Sequence, residues 1–533
     1  MNKNRLTPKS WILICMCILH ALMLSDLLAN ETSVLVAPND AKIKYNGTLH
    51  TVINETSAEL YRFSQDYLDN GEDGTFTMAK ARTQSGVSVN FKTNSPLIKL
   101  KFAELEDSEI RDRRFSVFKD GALAFDNISD LEFTVDNSTE EDAQWEVYLP
   151  YFSGVKFLGL ELSEGKILSD LPVEDKPLYM AIGDSITHGV GQNGAIETYP
   201  YHVARHLDFQ LVNLGIGGSR ISPETIRNLS GQTPELVTVL WGYNDVNQDR
   251  GLSEAIADYE DLVENLCTQY PDTDVLCIMQ TFTTTVEGSR NDANTIELLR
   301  SLTLTAVENL QATHSNLYLI DGEDFVSSEE DLADHVHLNA DGAKALAKGI
   351  VGEYLENILE RTDVSVNSLA DLREAVQLSE QRIVMEPGDY NMDDLSSGIR
   401  NIVCSGSSNI IDLTGVYISS TVGTISDRYI IISGNNNTFK GMELEDVYIS
   451  GLTEVTDFSA YNQNRNSLAR GLRGAPDMHV SGDGNLVIDV KLTVRGSYPY
   501  GYGSMYGVGS NNVYGLDKRC GLLIVSVMPS ALI

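Results

Sequence analysis

Between residues 177 and 360, five apolar runs, "LYMAI", "QLVNLGI", "LVTVLW", "VLCIMQTF" and "LYLID", alternate with helical stretches. Runs this apolar imply strands covered on both faces, and their alternation with helices implies a parallel, doubly wound sheet. Helices are predicted over 199–207, 252–269, 294–314 and 340–358. In such sheets chemistry gathers at the carboxyl ends of the strands. The polar clusters lie there: "GDSITHG" after the first run, "GGSR" after the second and "GYNDVNQD" after the third.

These clusters hold the residue types that nucleophilic catalysis needs. A serine hydroxyl requires a base within hydrogen-bond reach, usually a histidine oriented by a carboxylate, and amide donors for the oxyanion. Ser185 follows the first strand, where a helix start can present its hydroxyl and N–H together, and Asp184 reads as bracing that turn. Gly218, in "NLGIGGSR", closes the second strand and lets backbone approach a substrate oxygen. Asn244, in "GYND", ends the third strand and can offer a side-chain N–H. Asp334 and His337, in "DHVHLN", are three apart at the predicted start of the last helix, which puts both on one face. The competing reading makes "GDS" a tight turn and "DHVH" a polar helix start.

In order, "GDSITHG", "NLGIGG", "GYND" and "DHVHLN" resemble the four sequence blocks of the SGNH (GDSL-type) hydrolase family. The resemblance covers about a third of the chain. It implies a three-layer α/β/α, flavodoxin-like fold and ester hydrolysis through an acyl-enzyme. It casts Ser185 as nucleophile, His337 as base and Asp334 as orienting acid. The oxyanion hole would comprise the Ser185 N–H, Gly218 and Asn244. No metal-ligand set appears, and this chemistry needs neither metal nor cofactor. His335 reads as solvent-facing. His188 stays open between a substrate-pocket residue and a structural one. Arg220 stays open between an anchor for an acidic substrate group and a surface cation. Trp241 and Tyr243 read as core.

The flanks differ in texture. Residues 30–172 show short alternating strands, among them "SVNFKT", "IKLKFAEL", "RFSVFKDG" and "WEVYLP", with a hairpin cue at "KDGAL". No long helical period appears, and the texture implies a β-sandwich or jelly roll. Such a module ahead of a GDSL-type domain (173–362) resembles two-domain carbohydrate esterases that deacetylate polysaccharides. Residues 363–533 open on "SVNSLADLREAVQ", read as one amphipathic helix capping a first coil. Short strands with Gly- and Asn-rich turns follow at intervals of twenty to thirty residues, which suits a parallel β-solenoid. This region resembles the right-handed β-helix of many polysaccharide lyases and glycoside hydrolases. Its Gly/Tyr-rich stretch and apolar ending, "CGLLIVSVMPSALI", lack a polar cap, so an incomplete β-helix from truncation or a frame shift is expected. The alternative is a last buried strand.

Residues 1–29 combine Lys3, Arg5 and Lys9 with an apolar run from Trp11 to Leu24, the form of a secretory signal. An export destination, secreted, periplasmic or at the cell surface, follows as an expectation, with no stable membrane insertion after signal removal. Cys15 and Cys17 lie in this leader. Cys267, Cys277, Cys404 and Cys520 show no metal spacing and read as buried thiols. With 39 Lys+Arg against 76 Asp+Glu, a net charge of −37 disfavours nucleic acid and anionic membranes as partners. The expectation is an exported serine esterase that removes acetyl or similar groups from a carbohydrate. A lipase or thioesterase of the same fold, and a non-catalytic glycan-binding surface protein, are the rivals.

Overall fold

The computed structural model describes residues 33–70, 78–111, 113–173, 176–248, 250–284, 295–395, 400–422, 428–448, 476–495, 520–524 and 531–532. The leader at 1–29 and the Gly/Tyr-rich stretch at 496–515 lie outside the described residues. Of the apolar ending, Cys520–Ile524 and Ala531–Leu532 are described, and both are strands. Among the described residues no helix is long and apolar enough to cross a membrane. The chain forms two compact units, divided between Ile350 and Val351.

The first part of unit one is built from two antiparallel six-stranded sheets. One contains Ala58–Tyr61, Val155–Leu162 and Leu97–Glu104, and the other Ser88–Thr93, Ala143–Tyr148 and Phe115–Lys119. Alternate residues of both sheets, including Leu100 and Phe157 from one and Phe91, Val117 and Trp145 from the other, fill one buried core. The "KDGAL" hairpin forms as its sequence asks. Lys119 pairs with Ala122, and Asp120 (φ 49°) and Gly121 (φ 80°) between them are both left-handed, as a two-residue type I′ turn requires. Two short helices, Gln65–Asn70 and Met78–Ala81, interrupt the strands. Neither is long enough to show a period in the sequence.

The central region has five parallel strands: β1 (Leu178–Gly183), β2 (Gln210–Gly215), β3 (Pro234–Leu240), β4 (Asp274–Ile278) and β5 (Leu317–Ile320). Their order is β2-β1-β3-β4-β5, the flavodoxin-like arrangement. The helices are α1 (Ser185–His188), α2 (Tyr199–Leu207), α3 (Tyr243–Asn247), α4 (Leu252–Gln269), α5 (Ile296–Gln311) and α6 (Ala340–Glu353). The stretch predicted over 340–358 is helical throughout, α6 continuing as a π-helical turn over Tyr354–Ile358, whereas that predicted over 294–314 is the shorter α5. In α5, Thr295 sets the start by accepting from the Leu298 N–H at 3.0 Å. Gly183 at the end of β1 pairs with Gly215 of β2 and Leu240 of β3. Three strand ends therefore lie level, and the turns leaving them meet at one edge. A Cβ on Gly215 would stand 2.3 Å from the His188 N, so glycine is what lets α1 cross this edge.

In unit two every strand pair is parallel. Thr362–Val366 pairs with Gln381–Met385, which leads on through Ile410–Val422 and Thr438–Tyr448 to Leu486–Ile488. A second sheet stacks Ile402–Cys404, Ile430–Ile432, Pro476–Val480 and Cys520–Ile524. Asparagines ladder through the turns. The Asn409 N–H donates to Asn437 Oδ1, 28 residues on, and the Asn437 N–H to Asn485 Oδ1, 48 residues on. The longer step contains 449–475, outside the described residues. The helix expected over 365–377 is only Leu369–Ala375, because Val364 and Val366 lie in the first strand and the Ser368 side chain caps the helix. Leu369, Leu372 and Ala375 join the unit's core.

The two regions of unit one, expected as separate domains meeting at 172/173, share a core. Phe63, Tyr67, Ala81 and Leu105 are continuous with Ile182, Leu214, Trp241 and Val263. Arg62, 0% exposed, fastens the same seam. Its Nη1 donates to the Asn213 and Gly215 carbonyls at the end of β2 (2.5 and 3.0 Å), and its Nε donates to the Thr83 carbonyl (2.8 Å). Burial pulls the guanidinium down to about 9, which leaves it charged at neutral pH. Arg62→Met strands three carbonyls, each unmet group weighing about 1–3 kcal/mol. A loss of about 3 kcal/mol or more is expected in urea unfolding followed by tryptophan fluorescence. An unchanged midpoint would contradict this role.

Candidate active site

Asp184, the residue before α1, turns its side chain to accept the Ile186 N–H at 3.0 Å. Burial pushes its carboxyl up to about 7, although the N–H groups of Ile186 and Tyr243 resist the shift. Asp184 therefore braces the turn, and Ser185 stands at the first helical position, 8% exposed. From the sheet side the Asn213 amide donates to the Thr187 carbonyl (2.8 Å). From the N-terminal region, Ser85 Oγ donates to the His188 carbonyl (2.8 Å).

Residues 333–338 bring the other partners. Asp334 and His337 are not on the last helix, which begins at Ala340. They belong to a tight turn before it, closed by Asp334 Oδ1 accepting the N–H groups of Val336 and His337, both at 2.8 Å. An Asx turn achieves the same i, i+3 proximity that a helix would. His337 Nδ1 lies 2.7 Å from Asp334 Oδ2, and His337 Nε2 lies 2.8 Å from Ser185 Oγ. Partial burial opposes the Asp334 charge, but the hydrogen bonds from the His337 ring and the two backbone N–H groups outweigh it. The carboxyl is held below its ordinary range. With Nδ1–H donated to that carboxylate, Nε2 is left as acceptor for the serine hydroxyl. The turn is clamped on two sides, by Thr283 Oγ1 donating to the His335 carbonyl (2.7 Å) and by the Gln192 amide donating to the Leu338 carbonyl. His335 itself is exposed.

The turn after β2 carries Gly218 at φ 86°, a left-handed conformation suited to glycine. Asn244 lies in the first turn of α3 rather than at the end of β3. Its Nδ2 donates to the Ser219 carbonyl at 2.9 Å, which uses one of the two amide hydrogens. Ser219 O also accepts from Trp241 Nε1, and Gly218 O from Gln248 Nε2. Asp245, not singled out within "GYND", accepts the Ile221 N–H (3.1 Å) and pairs with Arg250 (3.0 Å). Burial pushes its carboxyl up to about 6 against those two bonds. The loop of Gly218 and the helix of Asn244 are therefore fixed to each other.

His188 does not line a pocket. It is 0% exposed, stacks on Phe152 (centroids 4.5 Å apart) and accepts the Gly217 N–H at Nδ1 (3.1 Å). Its Nε2 lies 3.0 Å from the Tyr151 carbonyl. Burial, with Arg62 nearby, holds the ring far below the ordinary histidine range, so it stays neutral. Arg220 is half-buried, and its charge acts on Asp245. Trp241 and Tyr243 are buried, the former in the shared core. Cys267, Cys277 and Cys404 are buried free thiols, each pushed up to about 12 by burial. The Cys520 side chain lies outside the described residues. A groove of about 600 Å³ beside Tyr148, Tyr201 and Arg205 contains none of Ser185, Asp334 and His337.

Four residues of the N-terminal region stand around this edge, Thr83 and Tyr151 hydrogen-bonded to the His188 ring, Phe152 stacked on it and Lys80 bonded to the Gly217 carbonyl, and sequence reasoning did not find them. Their own pattern offers no signal, because what places them is the seam made by Arg62 and the shared core.

Residues 181–345 match the GDSL-like Lipase/Acylhydrolase family. No curated protein sequence matches the chain. Among solved structures, a salicylyl-acyltransferase from a tetracycline biosynthetic pathway is similar at 20% identity and TM-score 0.53, covering 60% of this chain and 95% of its own. A structure described as a GDSL-like lipase, from Bacteroides ovatus, is similar at 20% identity and TM-score 0.51, covering 61% and 97%. These likenesses concern the fold. The central region is a hydrolase domain of the SGNH/GDSL type.

Proposed function

We propose that this protein is an exported serine esterase that removes acetyl or similarly small acyl groups from a polysaccharide. The observation that carries the reading is the continuous chain from Ser185 Oγ through His337 to Asp334, at 2.8 and 2.7 Å. In the proposed mechanism His337 Nε2 takes the serine proton as Oγ attacks the ester carbonyl. The ring then carries a positive charge, which Asp334 stabilises from Nδ1. The N–H groups of Ser185 and Gly218 and the Asn244 amide receive the developing oxyanion. The tetrahedral intermediate collapses, His337 protonates the departing sugar oxygen, and the acyl group stays on Oγ. Water, deprotonated by His337, repeats the attack and releases the carboxylate.

The polymeric substrate is supported by exposure. The His337 side chain is 22% and the Asp334 side chain 52% exposed, so the chain of residues lies near the surface and not at the foot of a closed tunnel. Two β-rich flanks beside the hydrolase domain support the carbohydrate reading further, and the composition of the leader supports export.

Ser185→Ala is expected to abolish hydrolysis of p-nitrophenyl acetate, and wild-type rates in that variant would remove Ser185 from the mechanism. Asp334→Asn is expected to lower kcat by roughly 10³-fold or more, because the imidazolium loses its counter-charge and tautomer control. The depressed Asp334 carboxyl contributes its orienting hydrogen bonds above the ordinary carboxylate range. They are lost only as pH falls through its lowered folded value. Acid-range pH–rate profiles of wild type and Asp334→Asn check this, since the aspartate's own limb must be absent from the variant. Acetate release from acetylated polysaccharides is expected to exceed turnover of octanoyl esters. A clear preference for octanoate would instead favour the lipase reading.

A further inference from the structure

Both backbone polar groups of Gly217 are held, its carbonyl from outside the hydrolase domain and its N–H by a ring of that domain which the N-terminal region packs and bonds. Lys80, on the short helix Met78–Ala81 of the N-terminal region, donates from Nζ to the Gly217 carbonyl at 2.6 Å. The Gly217 N–H is taken by His188 Nδ1, whose ring is packed against Phe152 and bonded to the Tyr151 carbonyl. Lys80 is itself fixed. Its carbonyl accepts from Thr83 Oγ1 (2.7 Å) and from Arg62 Nη2 (3.4 Å). An ideal Cβ on Gly218 would meet one neighbouring group, the Lys80 ammonium, at 3.2 Å. The cation therefore stands beside the residue whose N–H is the candidate oxyanion donor.

A trans peptide is planar, so the Gly217 carbonyl and the Gly218 N–H point in opposite directions from one conjugated unit. A charged donor on the carbonyl oxygen draws electron density toward that oxygen and makes the N–H across the unit a stronger donor. It also fixes the peptide plane before substrate arrives, as oxyanion stabilisation requires. We propose that Lys80 is a positioning residue of the esterase: through its bond to the Gly217 carbonyl it orients and polarises the Gly218 N–H toward the oxyanion. The N-terminal region thereby completes an oxyanion hole whose other parts belong to the hydrolase domain. Lys80 is partly buried and near Arg111, and both effects hold its ammonium below the ordinary lysine range, with Glu109 offsetting them in part. This inference rests on the esterase reading above.

The test compares steady-state kinetics on p-nitrophenyl acetate for wild type, Lys80→Met, Lys80→Arg and Ser185→Ala, with thermal melts of each full-length protein. Lys80→Met is expected to lower kcat about tenfold to a hundredfold, below the loss for deleting a donor outright. KM should stay at the wild-type value, the melting midpoint should fall no further than one unmet carbonyl implies, and Lys80→Arg should recover most of the rate. A wild-type kcat in Lys80→Met overturns the proposal. So does a loss confined to KM, which would make Lys80 a substrate-binding group, or an arginine variant no better than methionine. If the methionine variant does not fold, Lys80→Gln keeps a neutral donor without the charge, and an unchanged kcat there is equally decisive. An inactive Ser185→Ala beside a normal Lys80→Met removes Lys80 alone. An active Ser185→Ala removes the esterase reading and this inference with it.

Discussion

The guanidinium of Arg62 is the point on which unit one turns. It has lost all contact with water and finds backbone carbonyls where a carboxylate partner would be usual. Carbonyls of Asn213 and Gly215 belong to the end of β2, and those of Thr83 and Lys80 to the N-terminal region. A buried charge is tolerated only where every donor is met, and these donors are met only when both regions are in register. Around this cation the apolar residues of the seam form one core, and the edge that carries Ser185 forms beside it. The relation between the two regions is therefore as specific as the relation between strands within one sheet.

Much of the central fold was legible because its signals are local. Five apolar runs and the helices between them have the right periods, and the glycines and asparagines after the strands fall where parallel strands end level. The pairing of Ser185 with His337 also follows from order along the chain, once the first strand and the segment before α6 share an edge. The details that sequence reasoning missed depend on contacts. "DHVH" has the spacing of a helix face, yet Asp334 takes up the backbone N–H groups within its reach and forms a turn instead. His188 stays open between pocket and structural residue by its position in "GDSITHG", and it is Phe152 and Tyr151, remote in sequence, that make it structural. Lys80 carries no motif. Its place is dictated by a seam that no periodicity announces.

In unit two the parallel pairing was legible in outline for the same reason, since Asn-rich turns recur between its strands. The ladder explains the residue type. Each asparagine can accept from the backbone of the preceding turn while donating to a carbonyl of that turn, as Asn437 does with the Asn409 N–H and the Gly406 carbonyl. The one misjudged span, 365–377, joined a strand to a helix because both are apolar at compatible positions. Only the capping role of Ser368 separates them.

The seam at Arg62 also bears on how the chain is made. The arginine leaves the ribosome 151 residues before Asn213, whose carbonyl it later binds, and until then its guanidinium has no full set of acceptors away from water. Without β2, the guanidinium has the Thr83 and Lys80 carbonyls alone, so burying it away from water requires that strand. In the order of synthesis, the N-terminal region comes first, and the strand that arrives after it supplies the carbonyls that complete the shell of its buried cation.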